Sequence, residues 1–206
     1  MNQPKPHRVI LADPPWRWRP YSKKGLGRSA DAHYDTMTIA EIKALPVADW
    51  AAPSCVLFLW ITDPVQKLAH EVIEAWGFTY KTVGFYWVKT DKSDNYSVGN
   101  GKWTRSNPEQ CLLATRGPSP KGGFVRDRGV EKLIIAPRGR HSVKPAETHE
   151  RIERLCAGPY LELFARQRRA GWDFALSDQI DTGPTARRWK SNSYPGVSDR
   201  QGRFGL

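Results

Sequence analysis

The run CVLFLWIT, residues 55–62, constrains the fold more than any other stretch of the chain. Seven apolar residues in a row, closed by a threonine, lack the alternation of a half-buried strand and fall far short of a membrane span. Such a run reads as a strand covered on both faces, the kind found inside a parallel sheet. Asp63 can cap a helix after it, and Pro64 suits the first helical position. Val65, Leu68, Ala69, Val72, Ile73 and Trp76 then recur at helical spacing until Gly77 stops the pattern. A buried strand followed by an amphipathic helix is half of a crossover unit.

The rest of the chain repeats that grammar. RVILAD, residues 8–13, reads as a short buried strand ended by Pro14 and Pro15. TIAE, residues 38–41, is a capping box with Thr38 as N-cap and Glu41 at the third position, predicting a helix to about Leu45. Further strands are expected at 79–90, in EQCLLATRG and KLIIAPRG, at 160–166 and in DFALSDQI. A helix is expected from Pro145 to Gly158. Long polar loops cover 17–35 and 91–107. Strands alternating with helices predict an α/β fold with a mostly parallel sheet and helices on both faces. Ligands in such folds bind at the carboxyl ends of strands, where Asp13, Thr62, Asp63, Lys89 and Arg166 fall.

With 206 residues the chain favours one domain, residues 1–181, followed by a polar, aromatic and basic tail at 182–206 without periodicity. The formal net charge of +11 points to a polyanionic partner, most simply nucleic acid. Cys55, Cys111 and Cys156 are widely spaced in apolar stretches and suit buried thiols in a reduced, cytoplasmic setting. Neither the histidines nor the cysteines show metal-ligand spacing, so no metal is expected. No signal-peptide core or membrane-length run occurs. A nicotinamide site would want GxGxxG after the first strand, and GLG at 25 lacks the third glycine.

The stretch ADPPW, residues 12–16, carries the chemistry. An amine on an aromatic ring is a poor nucleophile, because its lone pair is delocalised. Accepting hydrogen bonds from both of its N–H groups favours a pyramidal nitrogen and stabilises developing positive charge. Asp13 offers one acceptor and the Pro14 carbonyl a second, with Pro14 and Pro15 holding both in place. Trp16 offers a flat face for stacking a base. The alternative is a rigid strand-to-loop turn with a core tryptophan.

A series of strings then occurs in order: ADPPW at 12, HYDTMT at 33, LFLWIT at 57, WGF at 76, YWVKTD at 86, EQCLLATRG at 109, HSVKPAE at 141, IERL at 152, LELFAR at 161 and DQI at 178. In this the chain resembles the N6-adenine methyltransferase family that contains the catalytic subunit of the messenger-RNA adenine methyltransferase and many prokaryotic and phage relatives. The resemblance implies a Rossmann-like class I methyltransferase fold in permuted motif order, with S-adenosyl-L-methionine as cofactor. It implies that Asp13, Pro14, Pro15 and Trp16 are catalytic and that Tyr34 belongs to a loop over the target adenine. Asp13, Lys144, Glu162, Phe164, Arg166, Asp178 and Gln179 would hold the cofactor, Lys144 through its carboxylate and Glu162 through its ribose. Lys89 and Glu109 would surround the base.

Basic residues mixed with aromatics in the loops suit phosphates and unstacked bases. The first loop has Arg17, Arg19, Lys23, Lys24 and Arg28; the second has Lys102, Trp103 and Arg105; the tail adds Arg187, Arg188, Trp189, Lys190 and Tyr194. A duplex target would need its adenine flipped out to reach Asp13. DNA is the favoured substrate, RNA the second reading, and an inactive nucleic-acid-binding subunit the third, opposed by the intact DPPW. Relatives often work as pairs, so a homodimer is a further expectation.

Overall fold

The computed structural model describes residues 6–17, 36–99, 101, 103–139 and 143–177. Seven strands are present there: β1 (His7–Ala12), β2 (Ala51–Ile61), β3 (Thr79–Thr90), β4 (Glu109–Arg116), β5 (Leu133–Pro137), β6 (Tyr160–Leu163) and β7 (Trp172–Ala175). They form one sheet in the order β5-β3-β4-β2-β1-β6-β7. Parallel pairs join β1 to β2 and β6, β6 to β7, and β3 to β5; β4 alone runs against its neighbours β2 and β3.

The apolar run forms the C-terminal part of β2 and splits its side chains between two cores. Leu57, Leu59 and Ile61 face Ala69, Val72 and Ile73 of helix α3 (Gln66–Ala75) and its C-cap Trp76. Helix α1 (Ile39–Lys43) adds Ile42 on that side, and the Trp76 Nε1–H donates to the Ile42 carbonyl at 2.9 Å. Val56, Phe58 and Trp60 point the other way, with Phe85, Trp87 and Ile152 of helix α4 (Glu147–Leu155). Unbroken hydrophobicity is therefore explained by burial on both faces.

Several local readings hold and a few shift. The capping box forms: Thr38 Oγ1 accepts from the Glu41 N–H, and Glu41 Oε2 accepts from the Thr38 N–H at 2.7 Å. Gly77, at φ +78°, ends α3 in the left-handed region. A four-residue helix α2 (Val47–Trp50), unforeseen in the sequence, precedes β2. A 3-10 turn at Asp63–Val65 leads into α3; Asp63 does not cap it, and its carboxylate accepts instead from Gln110 Nε2 at 3.2 Å. β6 stops at Leu163, three residues early, because Phe164 adopts φ +64° and turns the chain away.

Candidate active site

Strand direction decides which residues can meet. β1, β2, β3 and β6 all end at one edge of the sheet. β4 runs the other way, so its first residue, Glu109, arrives at that same edge, opposite Trp87. Parity then selects the face. Asp13 continues the alternation of Val9 and Leu11, Lys89 that of Phe85 and Trp87, and Glu109 that of Cys111, all on the α4 side. Glu162 is in register with Leu11 and shares that face. Residues leading into α4 complete the set.

Four side chains form a continuous ion chain. Lys144 Nζ lies 2.8 and 2.7 Å from the two oxygens of Asp13 and 3.3 Å from Glu109 Oε2. Lys89 Nζ lies 2.7 Å from Glu109 Oε1. Lys144 is 12% exposed, Asp13 19% and Glu109 10%, so the pairs are largely withdrawn from water. Trp60 and Trp87 pack edge to face beneath them, and the Lys144 and Lys89 ammonium groups sit 5.6 and 5.4 Å from the respective ring centroids. Burial raises the pKa of Asp13 above the ordinary carboxylate range, against the pull of Lys144. Glu109 moves the other way: burial pushes it up, but Lys144 and Lys89 together hold it below the usual value. Lys144 is held more firmly protonated than a free lysine, since Asp13 and Glu109 outweigh its desolvation.

Beside Asp13 a cleft of about 210 Å³ is lined by Leu11, Trp60, Lys144, His149, Glu162, Phe164 and Arg166. It brings together five of the residues expected at a cofactor: Asp13, Lys144, Glu162, Phe164 and Arg166. Glu162, an acid within the sheet, needs a partner, and the hydrogen-bonded one is His149, whose Nε2 lies 2.8 Å from Glu162 Oε2. The His149 ring meets Trp172 edge to face at 4.9 Å, and its Nδ1 is buried with no hydrogen-bond partner among the described residues.

The DPPW segment is braced on both sides. The Pro14 carbonyl accepts from the Trp16 N–H at 2.8 Å, and the Pro15 carbonyl from the Met37 N–H at 2.8 Å. A carbonyl has two lone pairs, so Pro14 retains an acceptor position. Trp16 itself is 8% exposed, packs in the α3-side core and donates its Nε1–H to the Trp60 carbonyl at 3.0 Å. Its ring here is a core side chain, as the rigid-turn alternative has it, not an open stacking face. Lys144, expected on a cofactor carboxylate, here directs its donors at Asp13 and Glu109. Trp103 is 92% exposed, and Arg105 donates its Nε–H to the Gly99 carbonyl at 2.9 Å. Tyr34, Asp178, Gln179, Lys102, the basic residues of the first loop beyond Arg17 and the tail at 182–206 lie outside the described residues.

His149, Trp60, Trp87 and Asn107 are the site residues that sequence reasoning missed. His149 was within reach: it precedes Ile152 and Cys156 by three and seven positions, the spacing of the buried helical face. Cys111 lies beside the ion chain, but burial lifts its thiol well above the ordinary range, so it is no nucleophile.

A mostly parallel sheet with its polar cleft along the carboxyl edge is the layout of a Rossmann-like methyltransferase domain. The chain belongs to the MT-A70 family, whose model matches residues 7–175. It is 35% identical over 189 residues to the type II methyltransferase M.MunI of Mycoplasma, covering 82% of this chain and 76% of that one. It is 30% identical over 183 residues to the human N(6)-adenosine-methyltransferase catalytic subunit METTL3, and 29% over 187 to the mouse N(6)-adenine-specific methyltransferase METTL4. The chain spans only 28% and 37% of those two longer proteins.

Proposed function

We propose that this chain transfers a methyl group from S-adenosylmethionine to the N6 amine of adenine in DNA. The observation that carries the reading is Asp13: a carboxylate fixed by Lys144 at the mouth of a cleft whose far wall holds Glu162 and Arg166. The donor set suits the cofactor. The Glu162 carboxylate can accept two hydroxyl protons of a ribose, Arg166 and Lys144 bring positive charge for a carboxylate, and Leu11, Trp60 and Phe164 supply apolar walls. The cofactor, when bound, supplies an electrophilic methyl group on sulfur.

The chain's own residues do the rest. An ionised carboxylate accepts at about four positions, so Asp13 can hold Lys144 and still accept from an adenine N–H. The remaining acceptor position of the Pro14 carbonyl takes the second N–H, and the braced turn keeps both aimed without reorganisation. The amine would become cationic as its N–C bond forms and the C–S bond breaks, the neutral thioether leaving with that electron pair, and it must then release a proton. Asp13, made more basic by burial, stands closest to receive it. Positioning supplies much of the remaining rate.

The net charge of +11 fits a nucleic-acid substrate, and a match that covers most of both chains is to a type II methyltransferase. RNA is the second reading, favoured by the relatives named as N(6)-adenosine-methyltransferases. A reduced, cytoplasmic setting suits the three free, buried thiols. Labelled-methyl transfer to duplex DNA, single-stranded DNA and RNA, with Asp13→Ala in parallel, tests the proposal. Labelled DNA that yields N6-methyladenine and needs Asp13 supports it. Equal labelling by the variant removes Asp13 from the mechanism, and labelling of RNA alone moves the conclusion to the second reading.

A further inference from the structure

A second cleft, of about 350 Å³, opens on the other side of Glu109 from the cofactor cleft. The two are joined by the ion chain: Lys144 lines the first, Lys89 lines the second, and Glu109 bridges them. Its wall is unlike that of the first cleft. The side chains are Lys89, Ser97, Ser106, Asn107 and Arg138 over the buried Trp87, with Gly99 and Gly139 contributing main chain. None of them is acidic.

The framework around this cleft is well tied. The Asn107 side chain accepts from the Lys89 N–H at 3.0 Å and donates to the Lys89 carbonyl at 2.9 Å and to the Ser97 carbonyl. Gly99 and Ser106 bridge across the loop. The Arg138 guanidinium and the hydroxyls of Ser97 and Ser106 have no hydrogen-bond or ion-pair partner among the described residues. Asp91, the acid whose pKa Arg138 helps to lower, already accepts from the main chain of Ser93 and Asn95 at 2.8 and 3.1 Å. A forked cation beside two hydroxyls matches a tetrahedral oxyanion.

We propose that this cleft binds a backbone phosphate of the acceptor strand next to the target base. The proposal rests on the nucleic-acid reading above and deepens it. A methyl donor in the first cleft requires the acceptor to enter from the opposite side of Asp13, and the second cleft is the polar opening beyond the ion chain there. Arg138 and Ser106 were not among the residues that the sequence marked for substrate, whereas Lys89 was.

The test is the salt dependence of oligonucleotide binding by the full chain, which needs no catalysis. Arg138→Ala should weaken binding about tenfold at moderate salt and lower the slope of log K against log salt by about 1. Arg138→Lys should keep the slope. Lys67→Ala, on the exposed side of α3, removes the same charge elsewhere and should leave the slope unchanged. Binding of S-adenosylhomocysteine should be the same in all four proteins. An unaltered slope and affinity in Arg138→Ala overturns the subsite while leaving the methyltransferase reading intact. Salt-dependent binding through Arg138 with no methyl transfer to any nucleic acid upholds the subsite and sinks that reading.

Discussion

Replacing Lys144 by methionine separates two roles for the one lysine. The pair with Asp13 is short, at 2.7–2.8 Å, and largely buried, with Lys144 12% exposed. An opposite charge this close ordinarily lowers a carboxyl pKa by about 1–3 units, which is about 1.4–4 kcal/mol. Burial has already raised Asp13, so losing Lys144 adds to a shift in the same direction. The active form is the carboxylate, present above its pKa and lost as pH falls through it. A higher pKa therefore moves the loss of activity to higher pH. Methyl transfer by Lys144→Met, followed from pH 5 to 10, should show an acid limb displaced upward, with activity returning in alkaline buffer. The variant's stability deficit should shrink toward acid pH, because a protonated Asp13 needs no cation. An acid limb identical to wild type refutes the role of Lys144 toward Asp13 and leaves only its contribution to the cofactor carboxylate, which a raised KM for S-adenosylmethionine would read.

Three further outcomes follow from the geometry. His149→Ala should raise the KM for S-adenosylmethionine about tenfold with little change in kcat, by releasing Glu162, and His149→Gln should recover much of it because its amide can donate in place of Nε2; equal KM values for all three proteins would leave His149 a purely structural residue. Thr38→Ala breaks the capping box and should cost about 1 kcal/mol, read as a fall in Tm of about 2–4 °C by calorimetry. Ellman's reagent at pH 8 should find no reactive thiol in the native chain and all three after unfolding in guanidinium, since burial pushes Cys55 up to about 12 and Cys156 to about 11.

What could be read in advance was periodicity and punctuation. The unbroken run in β2, the helix ending at Gly77 and the Thr38–Glu41 box each depend on neighbours in sequence, and each formed. The carboxyl ends of the strands also placed Asp13 and Lys89 at one edge, although the face that they share with Glu109 needed the strand pairing. Pairing was not legible in this way. Glu162 was legible as an acid in need of a partner or ligand, but nothing in the spacing paired it with His149 on α4, which makes the hydrogen bond, and the left-handed φ of Phe164 beside it follows no spacing rule. Trp16 could be read as a stacking face or as a core tryptophan, and its Nε1–H found the Trp60 carbonyl inside the core. The ion chain illustrates the difference between composition and placement. Asp13, Glu109, Lys89 and Lys144 sum to zero, which is why they tolerate burial together. The net charge of +11 must then reside entirely outside that cluster. With the surplus charge outside a neutral buried cluster, polyanion affinity should change with salt while the protonation of Asp13 stays governed by its buried neighbours.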